Sequence, residues 1–311
     1  MALPITQEHI SKEIGRTVKS PILISSIAQL KSIDEKDFLK FFGPTFKELN
    51  WDYYDVKRLQ VEYLKAQFPE ASIKISALLK DYYTKKTDIS VLNEWIDQLT
   101  PEQATHFKAI QPWRRRSVCQ FVVTENKEHH LTLERKPVPQ FTQALDAEDL
   151  RSWPRIFDES PASHVENDHF HNLLKEVYGV VKKSSLRKCR QLEITAHFMS
   201  VRALPQKPGD NSPEGAHEDG ADFIISALVI NRQNLKGGES QVIELLENGN
   251  KEIICRHTLQ PGEFVFQADS KDELIYGTDL WHHVTPFHMA DEDRGEAWRD
   301  IIGLDINLTD A

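Results

Sequence analysis

The spacing of apolar positions changes character near residue 110. Before it, hydrophobic residues recur at helical intervals. Ser32-Ile-Asp-Glu35 reads as a capping box ahead of Phe38, Leu39, Phe41 and Phe42. Residues 53–68 and 73–83 keep the helical period, the second through Ile75, Leu78, Leu79 and Tyr82. Thr100-Pro-Glu-Gln103 is another capping box, with Pro101 at a first helical position that tolerates its missing N–H. Residues 1–110 are therefore expected to form a helical packing or dimerisation region, which leaves a homo-oligomer open. Nothing catalytic stands out there.

From Ser117 onward the pattern shortens. Val118–Val123 and His130–Glu134 read as a hairpin, followed by a Pro-rich stretch over 137–161. Phe170, Leu173, Leu174, Val177, Tyr178 and Val181 then mark one face of an amphipathic helix. After residue 190, apolar runs at 192–201, 223–231, 240–246, 252–258, 264–268, 283–288 and 300–307 predict strands. Lys207-Pro-Gly-Asp210, Lys236-Gly-Gly238, Glu247-Asn-Gly-Asn250 and Gln260-Pro-Gly262 supply the turns between them. Many short strands at close spacing indicate a barrel or sandwich rather than a doubly wound sheet.

Composition narrows the function classes. The 311 residues carry a net charge of −10, which argues against nucleic acid as a partner; Trp113-Arg-Arg-Arg116 is too short a basic run to reverse that. Three scattered cysteines, Cys119, Cys189 and Cys255, imply neither a disulfide framework nor a thiolate zinc site. Residues 1–15 lack an apolar secretory core, and no run approaches the ~20 apolar residues of a membrane span. A cytoplasmic protein with no membrane partner is expected.

The chemistry concentrates in Pro213-Glu-Gly-Ala-His-Glu-Asp-Gly220, just before the run Phe223–Ile230. In extended chain, residues two apart point to the same side, so His217 and Asp219 can reach one ion. By itself His-x-Asp recurs in loops by chance. Here a second imidazole follows, from His282 or His283, and then an arginine in Ala297-Trp-Arg-Asp300. Two imidazoles and a carboxylate leave open positions on a divalent metal, the donor set of non-haem Fe(II) oxygenases. The guanidinium of Arg299 matches a carboxylate, such as the distal one of 2-oxoglutarate. His197, at the centre of a strand, and His129, His130, His169, His171, His257 and His288 read as packing or surface residues. The Gly237-Gly238 pair reads as a turn needing positive φ.

These blocks resemble the bacterial 2-oxoglutarate and Fe(II)-dependent dioxygenases that hydroxylate free L-amino acids, the isoleucine 4-hydroxylase group. Pro213–Gly220 is similar to the family's PEGxHxDG, and Ile230–Ser240 to its INRxNxxGGES. His282-His-Val-Thr-Pro286 is similar to HGVTP, and Trp298-Arg-Asp300 to YRD. Pro139–Gln143 and Arg155-Ile-Phe157 extend the resemblance, which covers roughly 113–308. It implies a double-stranded β-helix (jelly-roll, cupin-like) over 111–311 with flanking helices. It implies His217, Asp219 and His282 as Fe(II) ligands, with His283 where the family has Gly. It further implies Arg299 on 2-oxoglutarate, with Arg294 the alternative, and Gln143 and Arg155 on the substrate. Turnover would consume O2 and release succinate and CO2. Asp219 argues against halogenation, which needs that ligand position vacated. A peptide-bound or carrier-tethered substrate, or a cupin-like metal-binding protein without oxygenase activity, are the alternatives.

Overall fold

The computed structural model describes residues 3–138, 152–205, 207–269 and 276–309. Its strands are β1 (Ile5–Thr6), β2 (Ile22–Ser26), β3 (Arg114–Glu125), β4 (Leu131–Lys136), β5 (Gln191–Ala203), β6 (Phe223–Gln233) and β7 (Leu235–Gly237). They continue as β8 (Ser240–Leu245), β9 (Lys251–His257), β10 (Glu263–Ala268), β11 (Asp279–Val284), β12 (Phe287–Met289) and β13 (Ala297–Thr309). The chain is mainly β with several helices. One sheet runs in the order β1-β2-β10-β6-β13-β5-β3-β4, a second as β11-β8-β9, and β12 pairs with β7.

The chain forms two compact units. The first comprises Met1–Leu49, Arg116–Val138 and Asp158–Ala311; the second comprises Asn50–Arg115 and Pro139–Phe157. In the first, both faces of the large sheet are covered, which explains the almost unbroken apolar run of β6. On one face, Ile225 and Leu228 of β6 join Phe198 of β5 and Ile302 of β13. They pack with Phe38, Phe42 and Phe46, and with the helix Asp168–Ser184. All six residues of that helix's predicted stripe are buried. On the other face, Ala227, Val229, Val265 and Ile301 meet Val242, Ile254 and Leu280 from β8, β9 and β11. Burying such residues stabilises by ~1.5–3 kcal/mol each, so this two-layer core dominates the unit's stability.

The second unit packs the helices Tyr54–Gln67 and Ser72–Tyr83 around aromatic contacts. Tyr54 lies 5.0 Å from Tyr83 and 5.5 Å from Phe157, centroid to centroid. Thr100 caps the helix Pro101–Lys108 with both reciprocal bonds of the expected box.

Several local expectations shift. Helix Glu35–Thr45 is capped by Asp34, which accepts from the Asp37 N–H at 2.9 Å, while the Glu35 side chain turns to Ser26. Ser32 therefore lies outside that helix. Residues 5–6 and 22–26, read with the helical region, pair as strands on the edge of the large sheet. The strand expected at 283–288 is two strands, β11 and β12, interrupted at Thr285-Pro286, where proline has no N–H to donate. The Gly237-Gly238 turn has φ of +85° and +68°, and a Cβ on Gly237 would meet the Pro286 carbonyl at 2.8 Å.

Candidate metal centre

The loop before β6 and the middle of β11 converge by backbone pairing. His217 and His282 form an isolated antiparallel bridge, each N–H donating to the other's carbonyl at 3.1 and 3.0 Å. That bridge sets the ring centroids 4.3 Å apart. Alternation along β11 buries Leu280, His282 and Val284 and leaves Trp281 and His283 half-buried on the other side. Hence His282, rather than its neighbour His283, meets His217 and Asp219. The Asp219 carboxylate lies 3.6 Å from His217 Nε2 and 3.4 Å from His282 Nε2. Among the described residues, one ligand atom from each of the three falls within 4.8 Å of the others.

Local bonds orient these groups. His217 Nδ1–H donates to the Gly215 carbonyl at 2.8 Å, which turns Nε2 toward the carboxylates of Glu214 and Asp219 and makes it the atom to face an ion. Gly215 and Gly220 both take φ of +80°, giving the tight turns on either side of the His-x-Asp pair. A feature the sequence reading missed holds the loop: Asp269, just past β10. One of its oxygens accepts the consecutive N–H groups of Asp219, Gly220 and Ala221 at 3.0, 2.6 and 3.0 Å. Nothing in local spacing links residue 269 to residue 219; the contact exists because β10 and β6 are neighbours in the sheet.

The electrostatics suit a cation. Burial opposes a charge on His217, but the bond to Asp219 and the charges of Glu214 and Asp219 lift the imidazole to about 9. Burial presses His282 down to about 4, against the pull of Asp219. Burial also opposes the charge on Asp219, yet the adjoining imidazoles hold its carboxyl well below the ordinary carboxylate range. The cluster thus keeps one proton on His217, where a divalent ion would displace it. Two neutral imidazole nitrogens and one carboxylate fit Fe(II), and the described residues bring no thiolate to them.

Arg299 sits on β13 with no exposed surface. Its Nη1 donates to Asn211 Oδ1 at 3.0 Å, while Nε and Nη2 find no acceptor among the described residues. Burial, then the charge of Arg232, lowers it to about 9. Arg294 lies instead in an exposed turn, paired with Asp291 at 3.4 Å. His197 is buried between Arg116 Nη2 and Asp305 Oδ2, each 2.9 Å from a ring nitrogen, so its polar atoms serve the sheet. Arg155 belongs to the second unit, its guanidinium 5.8 Å from the Phe157 ring. Gln143 lies outside the described residues.

Among the described residues, no helix is long and apolar enough to cross a membrane. No curated protein matches the chain. The fold is similar to that of IDO from Bacillus thuringiensis (TM-score 0.58, 15% identity, covering 100% of this chain and 98% of that one). It is also similar to that of a bsmA homolog from Methylobium petroleophilum PM1 (TM-score 0.57, 18% identity, covering 99% and 88%). At these identities the likeness concerns the fold. Residues 94–305 match a family model described as 2OG-Fe dioxygenase, a span that contains the His-Asp-His cluster and the buried arginine. Most of the chain is thus matched, and the protein belongs to the 2OG-Fe dioxygenase family, whose chemistry uses Fe(II), 2-oxoglutarate and O2.

Proposed function

We propose that this chain hydroxylates a free, aliphatic L-amino acid, with His217, Asp219 and His282 as the Fe(II) ligands and Arg299 as the anchor of 2-oxoglutarate. The observation that carries the reading is the convergence of those three ligand atoms within 4.8 Å on a backbone bridge. The two facing sheets with a shared apolar filling support a double-stranded β-helix as the core. The amino-acid substrate is supported by the motif blocks 213–220, 230–240 and 282–286.

Bound Fe(II), with 2-oxoglutarate and O2, supplies the oxidising power that replaces a substrate C–H by C–OH. One oxygen atom enters the product and the other enters succinate as CO2 leaves. The protein's part is placement. The Gly215 carbonyl holds His217 with Nε2 forward. Asp219 offsets one charge of the ion. Arg299 receives the cosubstrate's far carboxylate, and its complete burial excludes water from that end. Gln143 and Arg155 are candidates for the substrate's own carboxylate or ammonium, by resemblance.

The test is anaerobic loading with Fe(II), then succinate release measured across the twenty amino acids in air. Coupled succinate formation and a hydroxylated product with a free aliphatic amino acid is the expected result. Turnover confined to peptide- or carrier-bound residues would move the substrate class. Metal binding with no succinate from any substrate would defeat the oxygenase reading.

A further inference from the structure

Arg299 has a counterpart that the motif comparison does not explain. In the β13–β6 ladder, Ile301 pairs with Val229 and Asp300 with Asn231, so Ile230 is an extra residue on β6. Strict alternation from Val229 would turn Arg232 to the opposite face. The bulge reverses this: Arg232 becomes the direct cross-strand partner of Arg299. Two guanidiniums then face each other. Arg232 Nη1 and Arg299 Nε each lie 3.6 Å from the point a Gly238 Cβ would occupy, and that glycine leaves the space open.

Like charges directly opposite on adjacent strands destabilise a sheet. Here nothing offsets them: among the described residues, no carboxylate stands in ion-pair range of either guanidinium. Arg232 Nη2 donates to the Gly237 carbonyl at 2.8 Å, but Nη1 is buried without an acceptor. Arg299 Nε and Nη2 are in the same condition, and so is Asn211 Nδ2 beside them. Buried N–H groups are almost always satisfied, and a buried cation without a partner is costly. Four unsatisfied donor atoms on three neighbouring side chains describe the site of an anion.

We propose that Arg232 is a second anchor for the cosubstrate, so that the far carboxylate of 2-oxoglutarate is held between Arg232 and Arg299 with Asn211 Nδ2 as a further donor. The bulge at Ile230 is the device that brings the second guanidinium in. This rests on the reading of Arg299 as the cosubstrate anchor. It makes Arg232 a determinant of dicarboxylate over monocarboxylate keto acids, because only a dicarboxylate reaches the pair while its keto end chelates the metal.

The experiment is calorimetric titration of the Mn(II)-loaded protein, under conditions without turnover, with 2-oxoglutarate and with 2-oxobutyrate, which lacks the far carboxylate. Wild type, Arg232→Gln, Arg232→Lys and Arg299→Gln are compared, and Mn(II) affinity reports that the metal ligands remain intact. Charge-assisted hydrogen bonds set the expected scale: Arg232→Gln weakens 2-oxoglutarate binding by roughly 10- to 100-fold. It leaves 2-oxobutyrate within about twofold, and Arg232→Lys falls between wild type and Gln because it keeps the charge and loses the fork. Should Arg232→Gln bind 2-oxoglutarate as wild type does while Arg299→Gln loses it, the second-anchor proposal is overturned and the first anchor stands. Should both variants keep full affinity, the pair is not the cosubstrate's site at all.

Discussion

The candidate metal corner and the arginine pair balance charge in opposite ways. At the corner, two imidazoles surround a carboxylate, and one proton on His217 compensates Asp219 before any ion arrives. The loop is tied further by Asp269 and by the His217–His282 bridge. At the pair, two guanidiniums confront each other with a neutral asparagine and a backbone carbonyl as their acceptors. One site is held in shape by its own hydrogen bonds. The other carries an electrostatic debt that only an anion removes. Metal binding should therefore be a matter of ligand identity, whereas cosubstrate binding should also register as a gain in stability.

The comparison breaks most visibly at the metal. Asp219→Ala or His282→Ala should reduce Mn(II) or Fe(II) affinity by more than ~100-fold, measured by anaerobic calorimetry, since even outer-shell losses cost 10- to 100-fold. Arg299→Met should lower 2-oxoglutarate affinity by roughly 100-fold with Mn(II) affinity unchanged. The same variant should raise the melting temperature of the protein without cosubstrate, because it removes a buried charge that no carboxylate among the described residues offsets. Added 2-oxoglutarate should then stabilise wild type but not the variant. An empty variant that melts below wild type would show that Arg299 is structurally compensated.

A pH titration sharpens the same point. Burial and the charge of Arg232 act against the charge of Arg299, yet a guanidinium keeps its proton at any working pH, so this group does not titrate. His217 does titrate: its imidazole is lifted to about 9, and a metal ion must displace that proton to bind. Mn(II) affinity should thus strengthen as pH climbs toward about 9, while 2-oxoglutarate binding to the Mn(II)-loaded protein stays flat. Asp269→Ala, which orphans three N–H groups, should weaken metal binding by about 10- to 100-fold, with Asp269→Asn less affected. Gly238→Ala should have the smallest effect: about 1–2 kcal/mol of stability from its φ of +68°, with a few-fold loss in 2-oxoglutarate affinity.

Local patterns in the chain were informative where one element supplies all the information. The stripe 170–181 and the box at Thr100 are set by neighbours within a few residues, and they appear as read. The His-x-Asp pair is equally local. The cap at Ser32 went to Asp34 because two adequate capping residues stood close together, and the capping-box spacing favoured the wrong one. Strands β1 and β2 escaped notice because they are short, and β2 joins the sheet through β10, more than two hundred residues away.

Residue types and periodicity were enough to indicate a β-rich core, to single out His217, Asp219 and a distal histidine as a candidate donor set, and to point to an arginine suited to a carboxylate. Which imidazole faces inward, that Asp269 clasps the loop, and that Arg232 stands opposite Arg299 were decided by strand register. Register depends on pairing between segments far apart in the chain, and a one-residue bulge reverses which way a side chain points. No local spacing carries that information.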